Sequence, residues 1–206
     1  RMLASLSSTA IAMSKNFLPQ AQDEGGLLSR LGSRTVVAAT VRAIQLLGRQ
    51  FVLGRHISEA MAEADSQRRA QPLLRFSYDM LGEGARTEAD ASRHFAAYQQ
   101  AIARIATHRR GGGPEVSDGI SIKLSALFSR YEVAQRERVF AELLPRVWQL
   151  VDAAARADMN FTIDAEECDR LELSLDVFEA LAARIAQTHA QWRGFGMAVQ
   201  TYQTRA

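Results

Sequence analysis

Four polar residues close four similar stretches of this chain: Asp79 in LRFSYDM, Lys123 in GISIKL, Asp164 in FTID and Gln200 in FGMAVQ. Gathered in one place, two carboxylates, an ammonium and an amide would make a charged site capable of catalysis. A structural reading competes with this one. Lys123 and Asp164 could be an ion pair with Asp79 as a second partner, because a buried charge stripped of its partner costs ~3–5 kcal/mol. Taken alone, Gln200 reads as a satisfied core amide, and Tyr202, on the same face, as packing.

The elements around these residues decide whether they can meet. Leu74–Met80, Gly119–Leu124, Asn160–Asp164 and Phe195–Gln200 are rich in β-branched and aromatic residues and read as strands. Between them lie stretches with apolar residues at helical spacing. Thr87 is placed to cap a helix over Glu88–His108, with Ala91, Phe95, Tyr98, Ile102 and Ile105 on one face. Val133–Asp158 reads as a long helix whose internal Pro145 should kink or divide it. Leu175–His189 carries the next helix. Asp79, Lys123, Asp164 and Gln200 follow one another at intervals of 44, 41 and 36 residues, each room for one crossover helix with its loops.

Alternation along each strand sharpens the picture. Phe76 and Tyr78 oppose Ser77 and Asp79; Ile120, Ile122 and Leu124 oppose Ser121 and Lys123. Phe161 and Ile163 oppose Thr162 and Asp164; Met197 and Val199 oppose Ala198 and Gln200. One face of every strand is apolar and the other is small or polar, ending in a polar residue at the carboxyl end. An open sheet with apolar helices on both sides would give near-continuous apolar runs instead. The expected class is therefore α/β, with four strands forming the first part of a (β/α)8 barrel and a helical arm ahead of them. The expected divisions are an arm over residues 1–34, a helical linker over 35–72 with Ser58 as an N-cap, and the half-barrel over 73–206.

Other chemistry finds little support. With 25 basic against 23 acidic residues, and no basic stripe interleaved with aromatics, nucleic-acid binding has no positive sign. The single cysteine, Cys168, rules out an internal disulfide and reads as a small buried residue. The four histidines show no metal-ligand spacing. The glycines of RRGGGPEVSDG read as a flexible turn, and Glu166 and Glu167 as charges favoured at a helix N-terminus. No apolar run reaches the ~18 residues of a membrane span, and Met2–Met13 does not read as a secretion signal.

At the same stretches the sequence resembles the proline dehydrogenase family, in the form found in bifunctional bacterial proline utilisation A. RFSYDMLGE, GISIKLSAL, TIDAEE with DRLELSLD, and GFGMAVQTYQ are similar to that family's first four strand segments, and GRQFVLGRHISEAMAEA to the helical segment before its barrel. The resemblance runs from about Gly48 to the end of the chain. It implies a FAD-dependent oxidation of L-proline to pyrroline-5-carboxylate, with a membrane quinone as electron acceptor. It also implies a cytoplasmic enzyme that can contact the membrane peripherally. Lys123 matches the lysine that binds the substrate carboxylate, and Asp164 the aspartate beside substrate and flavin. Gln200 matches the glutamine at the flavin ring, with Tyr202 nearby as a further flavin contact, and Asp79 would orient Lys123.

Two departures stand out. Phe128-Ser129 replaces the His-Pro usual after SAL. The arginines and most dinucleotide contacts that the family draws from its later strands have no counterpart here. The chain is therefore expected to be a fragment of a longer enzyme, without the family's DNA-binding and aldehyde dehydrogenase modules and binding FAD weakly or not at all. The alternatives are a non-catalytic half-barrel that self-associates as a homo-oligomer, and a barrel enzyme acting on another cyclic amino acid.

Overall fold

A computed structural model describes residues 37–42, 44, 48, 52–82, 84–108 and 111–202. The arm expected over 1–34 lies outside the described residues. Residues 37–42 are helical and fall in a unit, Arg1–Leu53, distinct from the compact unit Gly54–Ala206. That second unit holds everything below.

Its order is α1 (Ile57–Ala70), β1 (Ser77–Tyr78), α2 (Glu88–Ala106), β2 (Gly119–Ile122) and α3 (Leu124–Leu127), followed by α4 (Leu144–Arg156), β3 (Asn160–Ile163), α5 (Leu171–Thr188) and β4 (Phe195–Met197). The strands form one sheet in the order β1-β2-β3-β4, all parallel. This is the β-α-β succession expected from the sequence. Among the described residues the sheet is open, with β1 and β4 as its edges.

Helices cover the apolar face. Ile120, Ile122, Phe161 and Ile163 are buried there with Tyr98, Ile102 and Ile105 of α2, Val147, Leu150 and Val151 of α4, and Val177 and Leu181 of α5. Near β4 the core is aromatic: Phe178 stacks on Phe195 with centroids 4.7 Å apart, and Trp192 donates from Nε1 to Met159 O at 3.1 Å. A side chain at Gly194 would meet Met159 O at 2.4 Å and the Trp192 ring, so only glycine lets these backbones approach.

Several local expectations are met and several are corrected. Thr87 caps α2, and Asp90 closes a reciprocal capping box. The cap of α1 is His56 rather than Ser58: His56 is extended, and its Nδ1 accepts the Glu59 N–H at 3.3 Å. Pro145 lies in the first turn of α4, where the expected long helix is divided. It follows a π-turn, Val139–Leu143, in which Leu144 N–H reaches Val139 O. Proline lacks a donor and crowds the preceding turn, and one wider turn accommodates both effects. Helix α5 begins at Leu171, behind a 3-10 turn at Cys168–Arg170, rather than at 175. All four strands end short of their polar residue, and Leu124 belongs to helix α3 instead of β2. Val199, expected to be covered, is exposed.

The amino end of the sheet is fixed by a buried charge. Asp118, just before β2, accepts both its bonds from Arg68 of α1 at 2.8 Å, the Phe76 N–H at 3.1 Å and the Tyr78 hydroxyl at 3.2 Å. Arg68 is only 8% exposed and Asp118 14%. One carboxylate thus joins α1, β1 and β2. Asp118→Ala would leave the Arg68 guanidinium buried without its main partner, and should cost ~3–5 kcal/mol in a urea unfolding measurement. A loss below 1 kcal/mol would show that this junction carries little of the stability.

Candidate active site

Parallel register brings the sequence-separated groups to one edge. Gly119 pairs with Asn160 and Ile122 with Ile163, so Lys123 and Asp164 stand level just beyond the last paired residues. Ser77 pairs with Gly119, which sets Asp79 two residues lower on β1. A lysine side chain is long enough to span that stagger. Lys123 Nζ donates to both Asp79 carboxylate oxygens at 3.0 Å and to Asp164 Oδ2 at 2.9 Å. The three side chains are 24–33% exposed, so the cluster is partly screened and still open to solvent. One ammonium between two carboxylates carries a net charge of −1 when all three are ionised.

The other two sequence candidates are exposed at the rim of the sheet. Gln200 is exposed, so the core-amide reading fails, and Tyr202 is 73% exposed rather than packed. Both border a shallow depression shared with Ala165, Glu166, Cys168 and Met197 on the same end of the sheet. Cys168 is exposed, not buried, because it opens the 3-10 turn at the rim. The inward face below is lined by small residues. The Ser77 and Ser121 hydroxyls lie 3.1 Å apart, and a Cβ added at Gly196 would meet nothing within 4 Å.

Two contacts at this end escaped sequence reasoning. Glu166 is not a free helix-terminal charge: its carboxylate accepts the Ser125 N–H at 3.1 Å and the Ser125 hydroxyl, tying the segment after β3 to the start of α3. A short polar residue just after Lys123 and a carboxylate just after Asp164 were the available signal. Tyr98 of α2, fully buried, accepts the Lys123 N–H at 3.2 Å. Phe128, which stands where the family usually has histidine, is 2% exposed, with the Arg138 guanidinium 5.3 Å above its ring. Among the described residues no group of three or more His, Cys, Asp or Glu could hold a metal ion, and no helix is long and apolar enough to cross a membrane.

Burial raises the Glu166 carboxyl above the ordinary value of 4.5, while its bonds from Ser125 oppose the shift. The folded chain therefore holds a proton more tightly here than the unfolded chain. Stability should fall as pH rises from about 4.5 through the folded-state value. Glu166→Gln can keep both Ser125 contacts without a charge, so its urea midpoint should lose that part of the pH dependence. Identical slopes for the two proteins between pH 4 and 8 would refute the assignment.

Comparison with known proteins bears on the family and the fold. Residues 60–206 match the family described as "Proline dehydrogenase". The bifunctional protein PutA of Klebsiella aerogenes is 44% identical over 179 residues, covering 87% of this chain and 13% of that protein. PutA of Escherichia coli K12 gives the same identity and coverage. A crystal structure of a Bradyrhizobium japonicum proline utilization A mutant superposes with a TM-score of 0.70 at 43% identity, over 97% of this chain and 20% of that one. The chain thus spans about an eighth of the length of the curated relatives it matches. With a family match over more than two thirds of its residues and this sheet beneath it, the chain belongs to the proline dehydrogenase family.

Proposed function

We propose that the chain is the first half of a flavin-dependent proline dehydrogenase barrel, and that the enzyme it belongs to oxidises L-proline to pyrroline-5-carboxylate. In this reading residues 1–34 are an arm, 35–72 a helical linker and 73–206 the half-barrel. The observation that carries it is Lys123, held between Asp79 and Asp164 at the carboxyl ends of three successive parallel strands. Chemistry in parallel α/β barrels sits at that end.

Lys123 offers a point charge for the proline carboxylate. Asp79 and Asp164 keep its ammonium extended over the sheet, and their excess negative charge attracts the substrate's ring ammonium. The oxidation removes a hydride from the ring carbon beside nitrogen and a proton from the nitrogen, leaving a C=N bond. The inward face fits a planar cofactor: small residues floor it, nothing fills the space over Gly196, and Gln200 and Tyr202 stand exposed at its rim. Asp164, Gln200 and Tyr202 would hold FAD, which when bound accepts the hydride and passes electrons on to a quinone.

The open edges β1 and β4 favour a second reading, a half-barrel that pairs with its own copy. Purification, addition of FAD and an anaerobic absorption spectrum with L-proline separate the two. The fragment reading expects no retained flavin and no defined oligomer from this chain. A tight dimer on size exclusion without flavin supports the second reading. A flavin band bleached by proline would show that the half-chain builds a working site. In a version completed with the later strands of a curated relative, Lys123→Ala should raise the KM for proline about ten- to a hundredfold, the worth of a charged hydrogen bond. An unchanged KM would remove Lys123 from substrate binding.

A further inference from the structure

Lys123 is gripped from both faces of the sheet. Its ammonium is held on the inward face by Asp79 and Asp164. Its main-chain N–H is held from the helix layer by Tyr98 Oη, at 3.2 Å. The second contact lies where the strand ladder has run out. Gly119 N–H donates to Phe76 O, just before β1, at 2.8 Å, and by alternation the Lys123 N–H points to the same side. β1, however, ends at Tyr78, well short of the level of Lys123. At this same residue the chain turns from β2 into α3. Lys123 is extended there (φ −107°, ψ 131°) and its own side chain makes no capping bond; Glu166 takes the Ser125 N–H two residues on, and Tyr98 takes that of Lys123 itself.

We propose that Tyr98 is a positioning residue for Lys123: its buried phenol takes the place of the missing ladder carbonyl and fixes the main chain at the bend, so that the lysine side chain reaches Asp79 and Asp164. The functional sense of this role rests on the reading of Lys123 as the group that binds substrate. The contact Tyr98 makes is to the main chain of Lys123. Because it sits midway along α2, on the face that carries Ala91, Ile102 and Ile105 into the core, the packing of the helix layer sets the height of the lysine at the mouth.

The composition of the chain makes this testable without cofactor or substrate. Lys15 and Lys123 are its two lysines. Labelling with 13C,15N-lysine therefore gives two amide and two side-chain signals, and Lys123→Arg assigns them. In Tyr98→Phe the Lys123 amide should exchange with solvent on the order of tenfold faster, and its side-chain signals should move toward those of free lysine. Ile102→Val, which loosens the same face of α2 without touching the phenol, should leave both signals where they were. Superimposable spectra of Y98F and the parent, or an equal response in I102V, would overturn the proposal. Should Y98F fail to fold, the parent chain decides. With 15N-isoleucine added to the label, a Lys123 amide that exchanges as slowly as the ladder amide of Ile122 supports the role, and one that exchanges like an unstructured peptide refutes it. Neither flavin nor proline enters this experiment, so its result is separate from that of the Lys123→Ala kinetics.

Discussion

Parallel register is the constraint from which the site follows. Side chains of a strand alternate between faces, so a slip of one residue in any pairing would turn Lys123 or Asp164 into the helix layer. The observed pairing sets Lys123 level with Asp164 and Asp79 two residues lower. A parallel ladder has little of its own to fix such a register. Here the fixing is done by burial on the outward face, where Ile120, Ile122, Phe161 and Ile163 each fill a place under the helices. It is also done by Asp118, whose carboxylate binds the main chain of Phe76 and the hydroxyl of Tyr78 while compensating Arg68.

The two ends of the sheet use charge differently. At the amino end the Arg68–Asp118 pair is almost withdrawn from water, with Arg68 Nε buried and unpaired, a junction whose value lies in holding three elements in one arrangement. At the carboxyl end the Asp79–Lys123–Asp164 cluster stays about a quarter exposed. Its ions interact with one another and with solvent. Stability sits at the bottom and openness at the top, the division expected of a barrel whose chemistry lies at the carboxyl ends of its strands.

Much of this was legible in the residues. The apolar and polar faces of each strand, the capping of α2 by Thr87 and the inward residues of the long helix all follow from periodicity, which is local and survives almost any tertiary context. Boundaries were less legible. Lys123 and Leu124 read as a continuation of GISI because β-branched residues precede them, yet the chain bends there, where Tyr98 accepts the Lys123 N–H and Glu166 the Ser125 N–H. Pro145 read as a break because proline removes a bond; that one π-turn would absorb the loss depends on how the whole segment packs.

Local pattern settled the four strands and the long helices, most of their apolar faces, and that an aspartate, a lysine and another aspartate stand at the ends of successive strands. These depend on the period of the backbone and the chemistry of single side chains. Register and packing chose the partners: Glu166 with Ser125, Arg68 with Asp118, Tyr98 with the Lys123 amide, Cys168 turned to solvent, Gln200 and Tyr202 exposed at the rim. Those contacts join residues 25 to 50 positions apart. A side chain's type fixes what it can bind, but its neighbour is chosen by register and packing, which no local pattern encodes.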